Sequence, residues 1–430
     1  MHIRSLLSQP AWPKSSTMRK WAALLLLLLP TLTAGETIFV EAEAFTNHGG
    51  WVVDQQFMDQ MGSPFLLAHG LGRPVKDAST TLDLPRAGTY RIWVRTRDWA
   101  APWNASESPG RFQLLVDGAP LAAAFGTKDA QWRWQDGGNV RIEHSRVTLA
   151  LHDLTGFNGR CDAIILTDEP DFRPPNEFNE LAAFRREQLG LTDGPQDAGT
   201  FDLVVVGGGI AGTCTALSAA RLGLDVALIQ NRPVLGGNNS SEVRVHLNGQ
   251  INQPPYPRLG DVVRELDTGL RGNAQPAHHY DDQLKLRVVG AEEKLHLFLN
   301  MHACDVEMDG SRIKAVLARH IEDGREMRFN ADFFADCTGD GSLGHLAGAD
   351  YRMGRESKAQ TGESLAPEEP DKMTMGASVQ WYSRQTDEPS SFPECAWAIQ
   401  FTEQSCHYLT RGDWNWETGM NRDQIGRASC

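Results

Sequence analysis

The sequence predicts a multidomain chain: an N-terminal antiparallel β-sandwich, then an α/β Rossmann-like domain of the dinucleotide-binding kind, then part of an α+β substrate domain. Three observations carry this. Short alternating runs separated by turn residues fill the first third, "FDLVVVGGGIAGTCTALSAARLGLDVALIQNRP" (Phe201 to Pro233) has the rhythm strand, glycine turn, helix, strand, and a Pro/Gly/Asp-rich connector lies between them. At 430 residues the chain exceeds one ordinary core, and about 150 residues per domain gives two or three. Hydrophobic residues at 41% and charged residues at 22% mark a globular body. A net charge of −14, without a long Lys/Arg run, argues against nucleic acid as a partner.

Residues 1–35 contain "MRKWAALLLLLLPTLTAGE", from Met18 to Glu36: a basic start, a short Leu-rich core and small residues near Ala34 and Gly35. That order is the pattern of a secretory signal peptide, with Met18 as an alternative start, and the apolar core is too short for a membrane span of about 20 residues. The expectation is export to the periplasm or medium, with no stable membrane span.

Residues 36–168 hold "TIFVEAEAF", "TTLDLPRAGTYRIWVRTRDW", "RFQLLVDGAPL", "RVTLALHDL" and "CDAIILTD", which read as strands of a sandwich. Six of the twelve tryptophans fall here: Trp51, Trp93, Trp99, Trp103, Trp132 and Trp134. Strand tryptophans pack cores, whereas Trp99, Trp103, Trp132 and Trp134 sit beside polar loop-like stretches and are candidates for stacking on sugar rings. Through "VEAEAF" and "DAIILTD" the segment resembles the β-sandwich carbohydrate-binding modules of secreted bacterial enzymes, which implies carbohydrate as a candidate partner. Residues 169–200 form a linker whose middle, "NELAAFRREQLGL", is expected to be one amphipathic helix.

From Phe201 the chemistry begins. Gly207, Gly209 and Gly212 complete G-x-G-x-x-G between an apolar strand and an Ala/Leu-rich helix. The first glycine permits the turn, the second admits a pyrophosphate, and the third lets helix and strand pack closely. Gln230 stands where an acid usually holds the ribose, and its amide oxygen is a weaker, uncharged acceptor. Arg232 beside it reads either as a solvated strand-end residue or as a partner for the 2′-phosphate of NADP.

Two later stretches separate nicotinamide from flavin. "RPVLGGNNSSE" places Gly236 and Gly237 after the second strand, and "ADFFADCTGDG" ends a strand at Thr338, Gly339 and Asp340. With the first motif these resemble the three signatures of FAD-dependent oxidoreductases with a glutathione-reductase-type fold. The resemblance implies an FAD-binding domain over 201–349, with an insertion at about 250–295, and FAD as the cofactor. It places Gly207, Gly209 and Gly212 at the pyrophosphate and Gln230 with Arg232 at the adenosine ribose. Gly236, Gly237, Asn238, Asn239 and Ser240 would lie beside the ribityl chain and flavin ring. Val306, in a β-meander, would lie near the adenine, while Thr338, Gly339 and Asp340 would close around the phosphate or ribityl hydroxyls.

In "SEVRVHLNGQ", Glu242, Arg244 and His246 alternate and would share one face of a strand. Arg244 is the candidate for orienting a small-molecule substrate and His246 for moving a proton. Seven dispersed cysteines, with Cys395 and Cys406 the one candidate pair, and the adjacent His278 and His279 lack metal-ligand spacing, so no metal is expected. Residues 350–430 are expected to be a partial substrate domain with strands in "MTMGASVQWYSRQ" and "CAWAIQF". The tail "QIGRASC" reads as foreign, of a kind an adapter sequence encodes, so a truncated reading frame is expected. The functional expectation is hydride transfer between an unidentified substrate, with carbohydrate-related molecules as candidates, and flavin. The alternatives are an exported glycan-binding protein with a vestigial nucleotide fold, and an NADP-dependent reductase using Arg232.

Overall fold

A computed structural model of the chain describes residues 35–103, 107–191, 193–374, 387 and 395–398. The segment expected as a signal peptide, nearly all of the two strands expected after residue 372, Cys406 and the terminal "QIGRASC" lie outside the described residues.

Eleven strands form the N-terminal part: β1 (Thr37–Glu41), β2 (Val52–Asp54), β3 (Phe65–His69), β4 (Ala78–Asp83), β5 (Gly88–Thr96), β6 (Phe112–Val116), β7 (Ala119–Phe125), β8 (Arg133–Ile142), β9 (Arg146–Asp153), β10 (Phe157–Cys161) and β11 (Ala163–Thr167). They pair antiparallel in three sheets, ordered β1-β11-β5-β8, β4-β9-β6-β7 and β10-β3-β2. Alternation puts Tyr90, Ile92 and Val94 of β5, Phe112 and Leu114 of β6, and Leu149 and Leu151 of β9 into one shared core. Half of the sandwich's six tryptophans serve packing: Trp51, Trp93 and Trp132 are buried.

The predicted linker helix is present as α2 (Phe178–Gln188), and the one-turn α1 (Met58–Met61) lies against it. Leu181 is buried and Phe184 meets Phe39 edge to face, which seats α2 on β1. Arg185 is drawn wholly inside. Its Nη1 donates to the Met61 carbonyl at 2.8 Å and to the Ser63 hydroxyl, its Nη2 to Asp162 at 2.7 Å, and its Nε lies 3.3 Å from Glu41. Arg95 joins the same Asp162 at 2.6 Å. The next arginine, Arg186, pairs with Glu326 of the second domain, and Arg319 of that domain bonds both Glu326 and the Gly62 carbonyl. The linker therefore sits within a charged junction that joins the two folded parts.

A six-stranded sheet forms the second part: β12 (Gln196–Val206), β13 (Val226–Ile229), β14 (Leu295–Phe298), β15 (Met301–Asp309), β16 (Arg312–His320) and β17 (Glu326–Asp336), ordered β14-β13-β12-β17-β16-β15. β14, β13, β12 and β17 are parallel, and β15–β16–β17 is the expected antiparallel meander. The helix α3 (Ile210–Arg221) crosses between β12 and β13 and buries Ala216, Leu217 and Ala220 against Val205, Val226 and Leu228. Covered on both faces, β12 and β13 carry the continuous apolar runs that parallel strands require.

The region expected as an insertion at about 250–295 contributes α4 (Asp261–Leu266) and α5 (Asp282–Gly290) before β14. After β17 come α6 (Ser342–Leu346) and α7 (Lys358–Thr361). One expected element is absent. Residues 242–250 form no strand, because Arg244 adopts φ +64° and its N–H turns back to the Ser240 carbonyl at 2.9 Å. Period-two alternation therefore does not apply to Glu242, Arg244 and His246.

Candidate functional site

The site is built from the C-terminal ends of β12, β13 and β17. Gly207 leaves β12 at φ +103°, and a Cβ there would lie 2.3 Å from the Cys337 carbonyl at the end of β17. A Cβ on Gly212 would sit 1.8 Å from the Gly207 carbonyl, so α3 can rest on the turn only with glycine there. Gly209 differs from both. It has φ −62° and ψ 177°, which any residue can adopt, yet a Cβ would meet nothing within 4 Å. It is the residue from which α3 starts, and the N-terminus of that helix has no side-chain cap and no acidic residue in its first turn. Uncapped amides and a bare approach are what a pyrophosphate needs. Gly339, at φ +89°, likewise faces open space beyond β17. On these observations the residues fit FAD.

The second glycine turn rests on the first. Gly236 donates its N–H to the Gly208 carbonyl at 2.8 Å, and a Cβ on Gly237 would lie 3.1 Å from the Gly209 Cα. Gly236 holds φ +109° over the stem of Lys285, which is fully buried on α5 and donates to the Tyr280 carbonyl at 2.8 Å. Burial lowers the Lys285 ammonium below its ordinary range, although Asp282, Asp281 and Asp267 oppose this. Asp282 also accepts from the Ser241 N–H at 3.1 Å. Lys285 and Asp282 were not legible as site supports, since "DDQLKLRV" reads as an ordinary amphipathic helix.

The remaining expected site residues divide by what their side chains already hold. Asn239 and Ser240 are buried, and the Asn239 amide donates to the Val245 carbonyl at 2.9 Å, so these two brace the loop. Asn238 is exposed at the turn. Arg232 pairs with Glu242 at 2.7 Å. Val306 lies half-buried on β15 in the core between meander and parallel strands. Thr338 donates its hydroxyl to Asp336 at 2.7 Å and accepts from the Ser342 N–H at 2.9 Å, whereas Asp340 is exposed. Asp336 went unnoticed in "ADCTGDG". Burial pushes its carboxyl up, but the Gly344 N–H and the Thr338 hydroxyl and N–H hold it below the usual range.

Arg244 and His246 both lie on the irregular loop. Arg244 directs its Nε to the Ser241 carbonyl at 2.9 Å, and its own carbonyl accepts from the Tyr280 hydroxyl. His246 Nδ1 lies 2.7 Å from the Asn273 Oδ1, which also accepts the His246 N–H at 3.2 Å. With Nδ1 donating there, the neutral ring has Nε2 as a proton acceptor.

On the sandwich, the four loop-side tryptophans separate. Trp132 packs against Phe57 and Phe65, which corrects its expected surface position: its loop neighbours are polar, but its ring fills an apolar satellite core. Trp134 donates to the Pro175 carbonyl at 2.9 Å. Trp99 is met edge-on by Trp103 and Trp397, and Trp103 is 71% exposed. Among the described residues no group of three or more His, Cys, Asp or Glu could hold a metal, and no helix is long and apolar enough to cross a membrane.

Comparison with known proteins places these features. The family model described as FAD dependent oxidoreductase matches residues 202–425, more than half of the chain. A fumarate reductase (cytochrome) of Shewanella frigidimarina strain NCIMB 400 is 45% identical over 74 residues, 17% of this chain and 11% of the relative. A second, from Shewanella frigidimarina, is 48% identical over 60 residues, 14% and 10% of the two chains. The chain thus spans about a tenth of these curated relatives. Among solved structures, a geranylgeranyl bacteriochlorophyll reductase-like protein from Thermoplasma acidophilum matches at TM-score 0.28 and 20% identity, over 36% of this chain and 43% of its own. A family 35 carbohydrate binding module from Clostridium thermocellum matches at TM-score 0.25 and 12% identity, over 30% and 97%.

Proposed function

The chain belongs to the FAD dependent oxidoreductase family, and from that premise we propose that it oxidises or reduces a small, carbohydrate-related molecule by hydride transfer. The observation that carries the cofactor half is the open side of Gly209 at the uncapped start of α3, beside two mutually braced glycine turns. When bound, FAD supplies the partner for the two electrons and one proton that leave or enter a substrate C–H bond.

The chain's own residues supply the rest of the reading. Gly207, Gly209 and Gly212 admit the pyrophosphate to the α3 amides, while the Gly236–Ser240 turn, with Thr338, Gly339 and Asp340, borders the remainder of the cofactor. Arg244 fixes a polar oxygen of the substrate. His246, with Nδ1 held by Asn273, takes or returns a hydroxyl proton at Nε2. The sandwich serves substrate supply, with Trp103 as its exposed aromatic contact to sugar, in an exported enzyme.

Purified protein should show oxidised-flavin absorbance, and a screen of sugars and oligosaccharides under anaerobic conditions should find one that bleaches it. Colourless protein that cannot be reconstituted with FAD would defeat the reading. Unchanged bleaching in His246→Ala and Arg244→Ala would remove those two roles alone.

A further inference from the structure

The position of Gln230, at the end of the second strand, made it the expected ribose acceptor, but its side chain is already employed at both ends. It is 5% exposed. Its Oε1 accepts from the Gly208 N–H at 2.7 Å, and its Nε2 donates to the Val234 carbonyl at 3.0 Å. Gly208 belongs to the first glycine turn and Val234 leads into the second, so one amide ties the two together. A Cβ on Gly208 would lie 2.9 Å from the Gln230 Cβ and 2.6 Å from Leu235, which shows how closely the three segments are packed.

The chemistry of this position selects glutamine. The Gly208 N–H needs an acceptor and the Val234 carbonyl needs a donor, and a side-chain amide supplies both. An ionised glutamate would satisfy Gly208 but set a carboxylate oxygen against the Val234 carbonyl, an unfavourable pairing in a buried place. An ionised acid, usual at such a strand end, therefore fits this pair of turns less well than the amide.

The next residue stands differently. Along β13, Val226 and Leu228 enter the core on the α3 side, and Ala227 and Ile229 enter the core on the meander side. Gln230 remains extended, its N–H bonded to the Phe298 carbonyl and its carbonyl to the Met301 N–H, both at 2.9 Å. β13 ends at Ile229 and Asn231 stands at the bend that follows, its backbone held beside the start of β15 because the Gln230 carbonyl accepts from the Met301 N–H and the Arg232 carbonyl accepts from the Asn300 N–H at 3.3 Å. Asn231 is half-buried, and no hydrogen bond holds its side chain among the described residues.

We propose that Gln230 is a positioning residue that locks the two glycine turns together before FAD arrives, and that the ribose hydroxyls are accepted by Asn231. The proposal rests on the FAD reading above. The geometry assigns the two residues separable effects: loss of Gln230 loosens the apoprotein and thereby its cofactor site, whereas loss of Asn231 removes one cofactor contact and leaves the apoprotein as it is.

The test titrates apoprotein with FAD by fluorescence and melts the apoprotein by circular dichroism, for wild type, Gln230→Glu, Gln230→Met, Asn231→Ala and Asn231→Asp. Gln230→Glu should lower the apoprotein Tm and weaken FAD by about tenfold or more relative to wild type near pH 8. Both losses should shrink near pH 5, where a protonated acid can again donate to Val234. Gln230→Met, which keeps the stem without either hydrogen bond, should show the loss without the pH rescue and serves if Gln230→Glu does not fold near pH 8. Asn231→Ala should weaken FAD by about three- to tenfold with unchanged apoprotein Tm, and Asn231→Asp should restore binding. A Gln230→Glu protein that binds FAD as tightly as wild type with an unchanged Tm would overturn the lock, and an Asn231→Ala protein with unchanged affinity would overturn the ribose assignment. Wild-type protein that binds no FAD would instead refute the reading beneath it, while the apoprotein melting of the Gln230 variants would still test the lock.

Discussion

Around Arg185 the chain hides charge, and around Gly209 it leaves backbone bare. At the junction, three carboxylates, Glu41, Glu43 and Asp162, and two guanidiniums, Arg95 and Arg185, are all buried. At the glycine edge the first turn of α3 carries no side-chain cap and Gly209 faces open space. Both places concentrate polar groups, but the junction turns its charges on one another, with Glu41 Oε2, Glu43 Oε2 and the Arg95 and Arg185 Nε atoms left without a hydrogen bond, whereas the edge leaves backbone amides for something that arrives. Opposite charges paired inside mark a structural joint, and backbone donors left open at a glycine turn mark a binding site.

The contrast is sharpest in substitutions. Replacing Arg185 by Met keeps an unbranched apolar stem but leaves Asp162 with Arg95 alone and Glu41 without its nearest cation. Removing one member of a buried ion pair costs about 3–5 kcal/mol, so Arg185→Met should lower stability by that order in denaturant melts. A change below about 1 kcal/mol would mean the junction is wetter than it looks.

The junction should also respond to pH in a defined direction. Burial pushes the Glu41 carboxyl up to about 7, despite the pull of Arg185, and Glu43 beside it is raised as well, chiefly by burial. A carboxyl raised above its unfolded value near 4.5 binds its proton more tightly in the folded chain. Its contribution is therefore complete below about pH 4.5 and is lost as pH rises through about 7. Glu41→Gln should flatten this part of a Tm–pH profile. Asp162 works oppositely: burial would raise it, but Arg185 and Arg95 hold it below the usual range, so its contribution is lost in acid. A wild-type profile that rises steadily between pH 5 and 7 would contradict the assignment for Glu41.

At the glycine edge, two neighbouring substitutions should part company. Gly212→Ala forces a methyl against the Gly207 carbonyl and should cost about 1–3 kcal/mol as well as FAD binding. Gly209→Ala has an ordinary backbone and empty surroundings, so its apoprotein stability should stay within about 0.5 kcal/mol of wild type while FAD affinity falls. Equal FAD affinity in Gly209→Ala would show that the cofactor does not approach there. The smallest effect belongs to Trp103→Ala: exposed as it is, stability should change by less than about 0.5 kcal/mol, and only affinity for a sugar ligand should register the loss.

Much of this organisation could be read in the letters. The alternating runs of residues 36–168 became antiparallel strands, the "NELAAFRREQLGL" helix formed, and "VVVGGGIAGT" made its turn, with Gly207 at positive φ and Gly212 packed against the Gly207 carbonyl. These features were legible because they are local: a period of two, a period near 3.6, or a glycine spacing depends on neighbours within a few residues. The "SEVRVHLNGQ" strand failed for the same reason. Its alternation was present, but Arg244 is held at positive φ by a loop that bonds to Ala274 and Tyr280, some 30 residues away or more.

Local pattern thus settled the order of the domains, the site of the glycine turn and the class of cofactor. Assembly settled which polar side chains remain available. Gln230 and Asn231 are adjacent amides of similar chemistry, yet one is consumed by Gly208 and Val234 and the other is not. Arg185 and Arg186 are adjacent cations, yet one is sealed against Asp162 and the other reaches Glu326 across the junction. A residue's type states which bonds it can make. Which bonds it has left depends on partners brought from distant parts of the chain, because a buried donor or acceptor takes the nearest satisfied arrangement that packing allows.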